Sequence, residues 1–260
     1  MRRIITTAII LIMSISVAGA QLAESESSRV SFDAGLDLYS AYVWRGMAIT
    51  DEPVAQPAGT LSLSLDEYGS VFAGVWANFD LTDANKTRST GGLNEIDYTV
   101  GYAVDVDDFS FELGHIWYTF PKANGPDYCP STREVYASAA YNNDLVTPSV
   151  TVYHDYADAD GTYAVFALDK EIAINEQLTA GLTASLGVAD NNFNEYYYNS
   201  SENSMVDGNL GAKITYAINE HLSVGATLVW TSLLDSNLRD NSYHSKEDFL
   251  WGGLNLAASF

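Results

Sequence analysis

Positive charge is scarce in this sequence. Its 260 residues hold 12 Lys or Arg against 34 Asp or Glu, a net charge of −22. So acidic a surface repels phosphate backbones, which argues against a nucleic-acid partner. Cysteine is nearly missing as well. Cys129 stands alone, so an internal disulfide is excluded, and with it a disulfide framework. Long apolar runs are absent. The run from Ile4 to Val17 is broken by Thr6, Thr7, Ser14 and Ser16, and no later segment approaches the length of a transmembrane helix. The sequence also lacks a His-Glu-x-x-His pair, a serine nucleophile elbow and a paired metal motif, so no cofactor, metal or catalytic residue is expected.

What is present begins with Arg2 and Arg3, the short apolar run and Ala18-Gly19-Ala20. That order reads as a secretory signal peptide over 1–20, followed by a short N-terminal segment over 21–28. Removing two of the twelve basic residues leaves ten against 34 acidic ones, a net −24.

From residue 29 to 260 the chain repeats a single pattern, in which an alternating segment leads through a turn into another alternating segment. Twelve such segments fall at 29–44, 56–65, 70–80, 94–104, 109–119, 133–142, 148–156, 162–171, 178–188, 204–217, 222–233 and 248–260. Successive strand side chains point to opposite faces. In the ninth segment Leu178, Ala180, Leu182, Ala184 and Leu186 oppose Thr179, Gly181, Thr183, Ser185 and Gly187. The eighth is ambiguous, because both its faces look apolar. A soluble sandwich would carry more charge on its polar face, whereas Gly, Ser and Thr suit a wet barrel interior. Short turns at 66–69, 105–108, 143–146, 173–177 and 219–221 alternate with longer loops at 46–54, 81–93, 121–132, 189–203 and 235–247. Outer-membrane barrels join their strands in this way, and only the connection 157–161 is shorter than the pattern asks. The expected fold is therefore all-β, an antiparallel transmembrane β-barrel of 12 strands in the bacterial outer membrane, with lipid as its surroundings. Tyr42, Trp44, Trp117, Tyr156, Tyr216 and Trp230 share the outward parity near strand ends and suit interfacial girdles.

Parity also sorts the charges. Asp33, Asp37, Tyr39 and Arg45 share the inward face of the first segment, and Arg45 is expected to grip Asp37 or Asp80. Asp97, Glu112, Glu134, Asp155, Asp169, Asp207 and Lys213 also point inward. Acidic residues dominate that set, which favours cations in the lumen. The pore-lining candidates are Asp33, Asp37, Tyr39, Arg45, Trp76, Asp80, Asp97, Glu112 and Lys213. Inward Phe72, Trp76, Phe249 and Trp251 are bulky and favour a filled lumen instead. His115 and His154 face outward on strands that flank a common neighbour, and His221 and His244 fall in a turn and a loop. Asp158 and Asp160 have the spacing of calcium-loop ligands, but the closing glutamate is missing, so 155–161 reads as a solvated turn.

Asp37-Leu38-Tyr39-Ser40-Ala41-Tyr42-Val43-Trp44-Arg45-Gly46 resembles the first-strand motif of the TorF-type porins, Ser-x-Tyr-x-(Phe/Trp)-Arg-Gly. Gly74–Asn78, Asp97–Val104, Gly114–Pro121 and Glu134–Ser138 extend the likeness through the first half of the chain. Phe260 closes the last segment and resembles the C-terminal signal read by the barrel-assembly machinery. The small, weakly polar inward faces and the outward apolar bands point to a channel for passive diffusion of small hydrophilic solutes, and the inward acids add a preference for cations. The alternatives are a non-conducting structural or surface barrel with a plugged lumen and, third, a lipid-acting barrel enzyme. Oligomeric state is not legible.

Overall fold

The computed structural model describes residues 29–82, 92–121, 131–241 and 246–260. The expected signal peptide, the segment 21–28, Cys129 and His244 lie outside the described residues.

The chain forms a closed barrel of twelve antiparallel strands, with a two-stranded hairpin set into it. The first strand is β1 (Val30–Tyr39), and the hairpin is β2 (Tyr42–Trp44) with β3 (Met47–Thr50). The wall continues through β4 (Val54–Ser64), β5 (Ser70–Asp80), β6 (Gly92–Val106), β7 (Phe109–Thr119), β8 (Thr132–Tyr141) and β9 (Thr147–Asp155). It ends with β10 (Gly161–Ala173), β11 (Leu178–Ala189), β12 (Ser204–Ala217), β13 (Leu222–Leu233) and β14 (Asp248–Ser259). Each wall strand pairs with its neighbour in sequence, and β1 pairs with β14 through Asp33↔Ser259 to Tyr39↔Gly253. Closure leaves no unpaired edge, as a wall in hydrocarbon requires. Phe260 extends that seam, exchanging backbone hydrogen bonds of 2.9 Å with Phe32 in both directions.

The alternation decides the two faces. Leu61, Leu113, Phe166, Leu210, Leu228 and Leu254 each leave more than half their surface exposed on the outside of the wall. An apolar belt of this extent suits hydrocarbon rather than water. The ambiguous eighth segment is resolved as well: Tyr163 and Val165 are buried inside, and Phe166 and Leu168 are exposed outside.

One end carries short turns. At three of them an asparagine carboxamide oxygen accepts two backbone N–H groups: Asn143 from Leu145 and Val146, Asn175 from Gln177 and Leu178, and Asn219 from His221 and Leu222. Asparagine closes a turn in this way without help from distant residues. The other end carries the longer connections. One of these contains helix α1 (Asn191–Tyr198), capped by the Asp190 carboxylate accepting from Phe193 N–H at 2.9 Å. Another contains α2 (Ser236–Asn241).

The structure corrects the first segment. It does not run from 29 to 44 as one strand. The wall strand stops at Tyr39, and Tyr42 and Trp44 turn into the barrel rather than joining an outer girdle; Tyr42 is 3% exposed. Parity holds only while a strand continues, and the break at Ser40 and Ala41 resets it. Trp117, Tyr156, Tyr216 and Trp230 do lie exposed on the outside.

Candidate functional site: a hairpin inside the barrel

The hairpin turns at Trp44-Arg45-Gly46-Met47. Arg45 and Gly46 both have positive φ, 45° and 86°, the pattern of the tight turn whose twist matches paired strands. Glycine adopts that conformation freely. Arginine does so at a cost of roughly 1–2 kcal/mol, and its surroundings offset that cost.

Those surroundings lie on the opposite wall. The Arg45 guanidinium donates from both terminal nitrogens to Glu134 on β8, at 2.7 and 2.6 Å. The two side chains are 7% and 1% exposed. Its central carbon sits 4.4 Å from the Trp44 ring, 4.6 Å from Tyr153 on β9, 4.6 Å from Tyr163 on β10 and 5.3 Å from Phe193 on α1. Aromatic faces attract a cation most strongly where water is excluded. Burial alone would loosen the guanidinium proton, but Glu134 more than reverses this, so the pKa is raised and the charge is permanent. Tyr118 donates a further 2.8 Å bond to Glu134. Tyr198 of α1 donates to the Arg45 carbonyl at 2.5 Å. Beside the turn, a Cβ at Gly46 would stand 2.7 and 2.8 Å from Leu233 on β13 and Asp207 on β12. The tip therefore spans the interior and is held by strands from half the barrel.

This arrangement divides the lumen. Buried apolar clusters fill the loop half: Tyr39, Tyr42, Val54 and Trp251 form one, and Ile116, Tyr118, Tyr153, Tyr163, Phe193 and Tyr198 belong to the other. A small recess lies against the hairpin, lined also by Tyr118, Tyr163, Asp207 and Trp251. The half nearer the short turns is lined instead by small residues such as Thr60, Gly74, Thr183, Gly211 and Gly225, each on the inward parity of its strand. Within it, Asp33, Asp37, Glu112 and Asp169 each accept a side-chain hydrogen bond, from Ser259, Asn255, Tyr136 and Thr183 respectively. Asp105, read in the sequence as a turn residue, joins them by accepting from Ser110. Lys213 is the cation that faces this group among the described residues, close enough to Asp37 to attract it.

The sequence candidates thus fall into two groups. Asp33, Asp37, Glu112 and Lys213 lie in the half nearer the short turns. Tyr39, Arg45, Trp76, Asp80 and Asp97 belong to the filled half, with Trp76 packed on Tyr42 at 5.5 Å between ring centres. The expected partner of Arg45 was wrong. Asp37 accepts from Asn255 and Asp80 from Asn78, while Glu134 takes Arg45, because the hairpin carries the side chain across the lumen. Tyr153, Tyr163, Phe193 and Tyr198 were not singled out. The inward parity of Tyr153 was the available signal, while the eighth segment left the direction of Tyr163 open.

Asp155 closes its own turn, accepting from the backbone N–H of Ala157 and Asp158 at 2.9 and 3.1 Å and from the Thr132 hydroxyl at 2.6 Å. His115 and His154 face outward on either side of Val135, through the pairs His115↔Val135 and Val135↔His154.

The profile of Gcw_chp, described as a bacterial protein of unknown function, matches residues 23–250. The chain belongs to that family. No curated protein matches it in sequence. Among solved structures, this Gcw_chp barrel is similar to an outer membrane channel from Pseudomonas putida F1, with a TM-score of 0.55 and 9% identity over 91% of this chain and 97% of the other. It is also similar to the NanC porin, with a TM-score of 0.51 and 12% identity over 88% and 98%. At such identities the likeness is one of fold: this is an outer-membrane β-barrel. The TorF-type motif stays a resemblance within that fold.

Proposed function

We propose that the protein is an outer-membrane channel for small hydrophilic solutes, closed in this conformation by its own first loop and selective for cations when open. The observation that carries the reading is the asymmetry of the lumen. One half is a cup walled largely by Gly, Ser and Thr, with Phe72 over Gly101 and Tyr136 over Gly114, and the other is filled by a hairpin from the single connection between β1 and β4, which forms no ladder with any wall strand. Within the cup, five carboxylates (Asp33, Asp37, Asp105, Glu112, Asp169) face one ammonium, Lys213. Rings of one sign select the opposite ion. The fold shared with the two channels supports this reading at the level of architecture only.

Purified protein in planar bilayers under a KCl gradient should give discrete openings and a reversal potential on the cation side. Asp33→Asn, Asp37→Asn and Asp169→Asn together should move that potential toward zero. Openings that prefer chloride would overturn the selectivity. A silent protein that stays silent after the hairpin is released would overturn the channel.

One observation favours a second reading. The hairpin is anchored by a doubly hydrogen-bonded ion pair under four aromatic rings, which is strong enough for a permanent plug. The protein would then be a non-conducting surface barrel, and releasing the hairpin would create a pore the cell never uses. Brief spontaneous openings in the unmodified protein would count against that reading.

A further inference from the structure

Cations are rare in this chain, and most of those described have a carboxylate. Arg29 pairs with Asp66, Arg45 with Glu134, Arg239 with Glu247 and Asp248, and Lys246 with Asp51. Arg133 is different. It faces outward as the second residue of β8, at the loop end of the wall, and no carboxylate among the described residues pairs with it. Its guanidinium lies 5.2 Å from the Trp117 ring, on the neighbouring strand. That ring fixes the height of the charge at the upper border of the apolar belt, where tryptophan settles between hydrocarbon and head groups.

The surrounding outward groups are a hydroxyl and two imidazoles, each able to donate or to accept, and His154 Nδ1 lies 3.2 Å from the Thr162 hydroxyl. Tyr156 follows β9, and its backbone N–H donates to the Arg133 carbonyl at 3.2 Å. The Tyr156 hydroxyl lies 2.8 Å from His115 Nε2. His154 is paired across Val135 from His115, and its ring is 44% exposed. The opposing charge nearby is Asp160, which is 80% exposed and 3.9 Å from His154 Nε2. Immediately below lie Leu113 and Val152, exposed on the outer face. The other outward cation on the described wall, Lys170 on β10, stands at the opposite end and donates to the Asp144 carbonyl.

We propose that the outward patch Arg133–Trp117–Tyr156–His115–His154 seats the phosphate of a lipid in the outer leaflet. Arg133 grips the phosphate oxygens as a fork, the hydrogen-bonded Tyr156–His115 pair offers one donor and His154 Nε2 another to the same group, and the lipid's chains run down over Leu113 and Val152. A phosphate is the anion that a guanidinium with no carboxylate partner among the described residues takes best, and the apolar surface beneath it selects a lipid over free phosphate. This site rests on the outer-membrane reading, with the long connections facing outward, but not on conduction.

The test uses the full chain folded into phosphatidylcholine nanodiscs that contain either lipid A, a diphosphorylated glucosamine-disaccharide lipid, or its dephosphorylated form. Native mass spectrometry then counts retained lipid. Lipid A should be retained and its dephosphorylated form lost, and inorganic phosphate at millimolar concentration should not compete. Arg133→Gln should weaken retention about tenfold, the worth of a charge-assisted hydrogen-bond pair. Lys170→Gln should leave retention unchanged. Equal retention of both lipids, or unchanged retention in Arg133→Gln, overturns the site. Strong competition by inorganic phosphate leaves an anion site but overturns its assignment to lipid. Each nanodisc sample is first checked for heat-modifiable migration of the folded barrel, so failure to insert is read separately.

Discussion

Replacing Arg45 by alanine tests the plug most directly. The substitution removes a guanidinium that makes 2.7 and 2.6 Å bonds to Glu134 and lies within 5.3 Å of four rings. Glu134, 1% exposed, is left with Tyr118 as its donor. Breaking a buried pair from one side costs about 3–5 kcal/mol. The wall is held by its own hydrogen-bond ladders, so the loss falls on the hairpin, whose equilibrium between inserted and released forms should shift by about a hundredfold or more. Single-channel recording should show a marked rise in open probability, and hydrogen exchange should quicken at 42–50 while the wall strands stay protected. Glu134→Gln should act in the same direction but less strongly, because a carboxamide still accepts one bond. The double change Arg45→Met, Glu134→Met should restore closure, since an apolar pair of similar length removes both charges and fills the same space. Unchanged conductance in Arg45→Ala, with the hairpin still protected from exchange, would falsify the assignment of Arg45 as its anchor.

Gly46→Ala should also release the hairpin, because the new Cβ meets Leu233 and Asp207 below 3 Å at a φ that disfavours alanine; exchange at 42–50 reports it, with the barrel's unfolding midpoint unmoved. Tyr198→Phe removes one bond to the Arg45 carbonyl and should cost about 0.5–1.5 kcal/mol, seen as a rise of about two- to tenfold in open probability. Leu254→Arg places a charge midway along β14 on the exposed outer face and should destabilise folding into vesicles by about 2–4 kcal/mol, measured by urea titration. Thr60→Arg, on the inner face of β4 beside Asp33, should leave that value nearly unchanged.

Eleven of the twelve wall strands could be placed from sequence to within a few residues, for a local reason. A strand in hydrocarbon must alternate within itself, and its turn must be closed by neighbours in the chain, as Asn219 is by the N–H groups of His221 and Leu222. Leu178 to Leu186 and Leu222 to Trp230 therefore announce their faces without knowledge of anything else in the molecule. The inward direction of Glu134, Asp207 and Lys213 follows from the same local rule.

The hairpin obeys no such rule. Residues 40–44 alternate well enough to pass for the end of a strand, and Tyr42 and Trp44 suit a girdle as well as a core. What sends them inward is Glu134, 89 residues away, and Tyr198, 153 residues from Arg45. Sequence alone determined a barrel, its strand count and, for every strand but β10, which side meets lipid, because those are properties of one strand at a time. Whether its lumen is open was decided only when distant strands closed into a ring, because a guanidinium, a carboxylate and three aromatic rings from separate segments meet nowhere but in the folded interior.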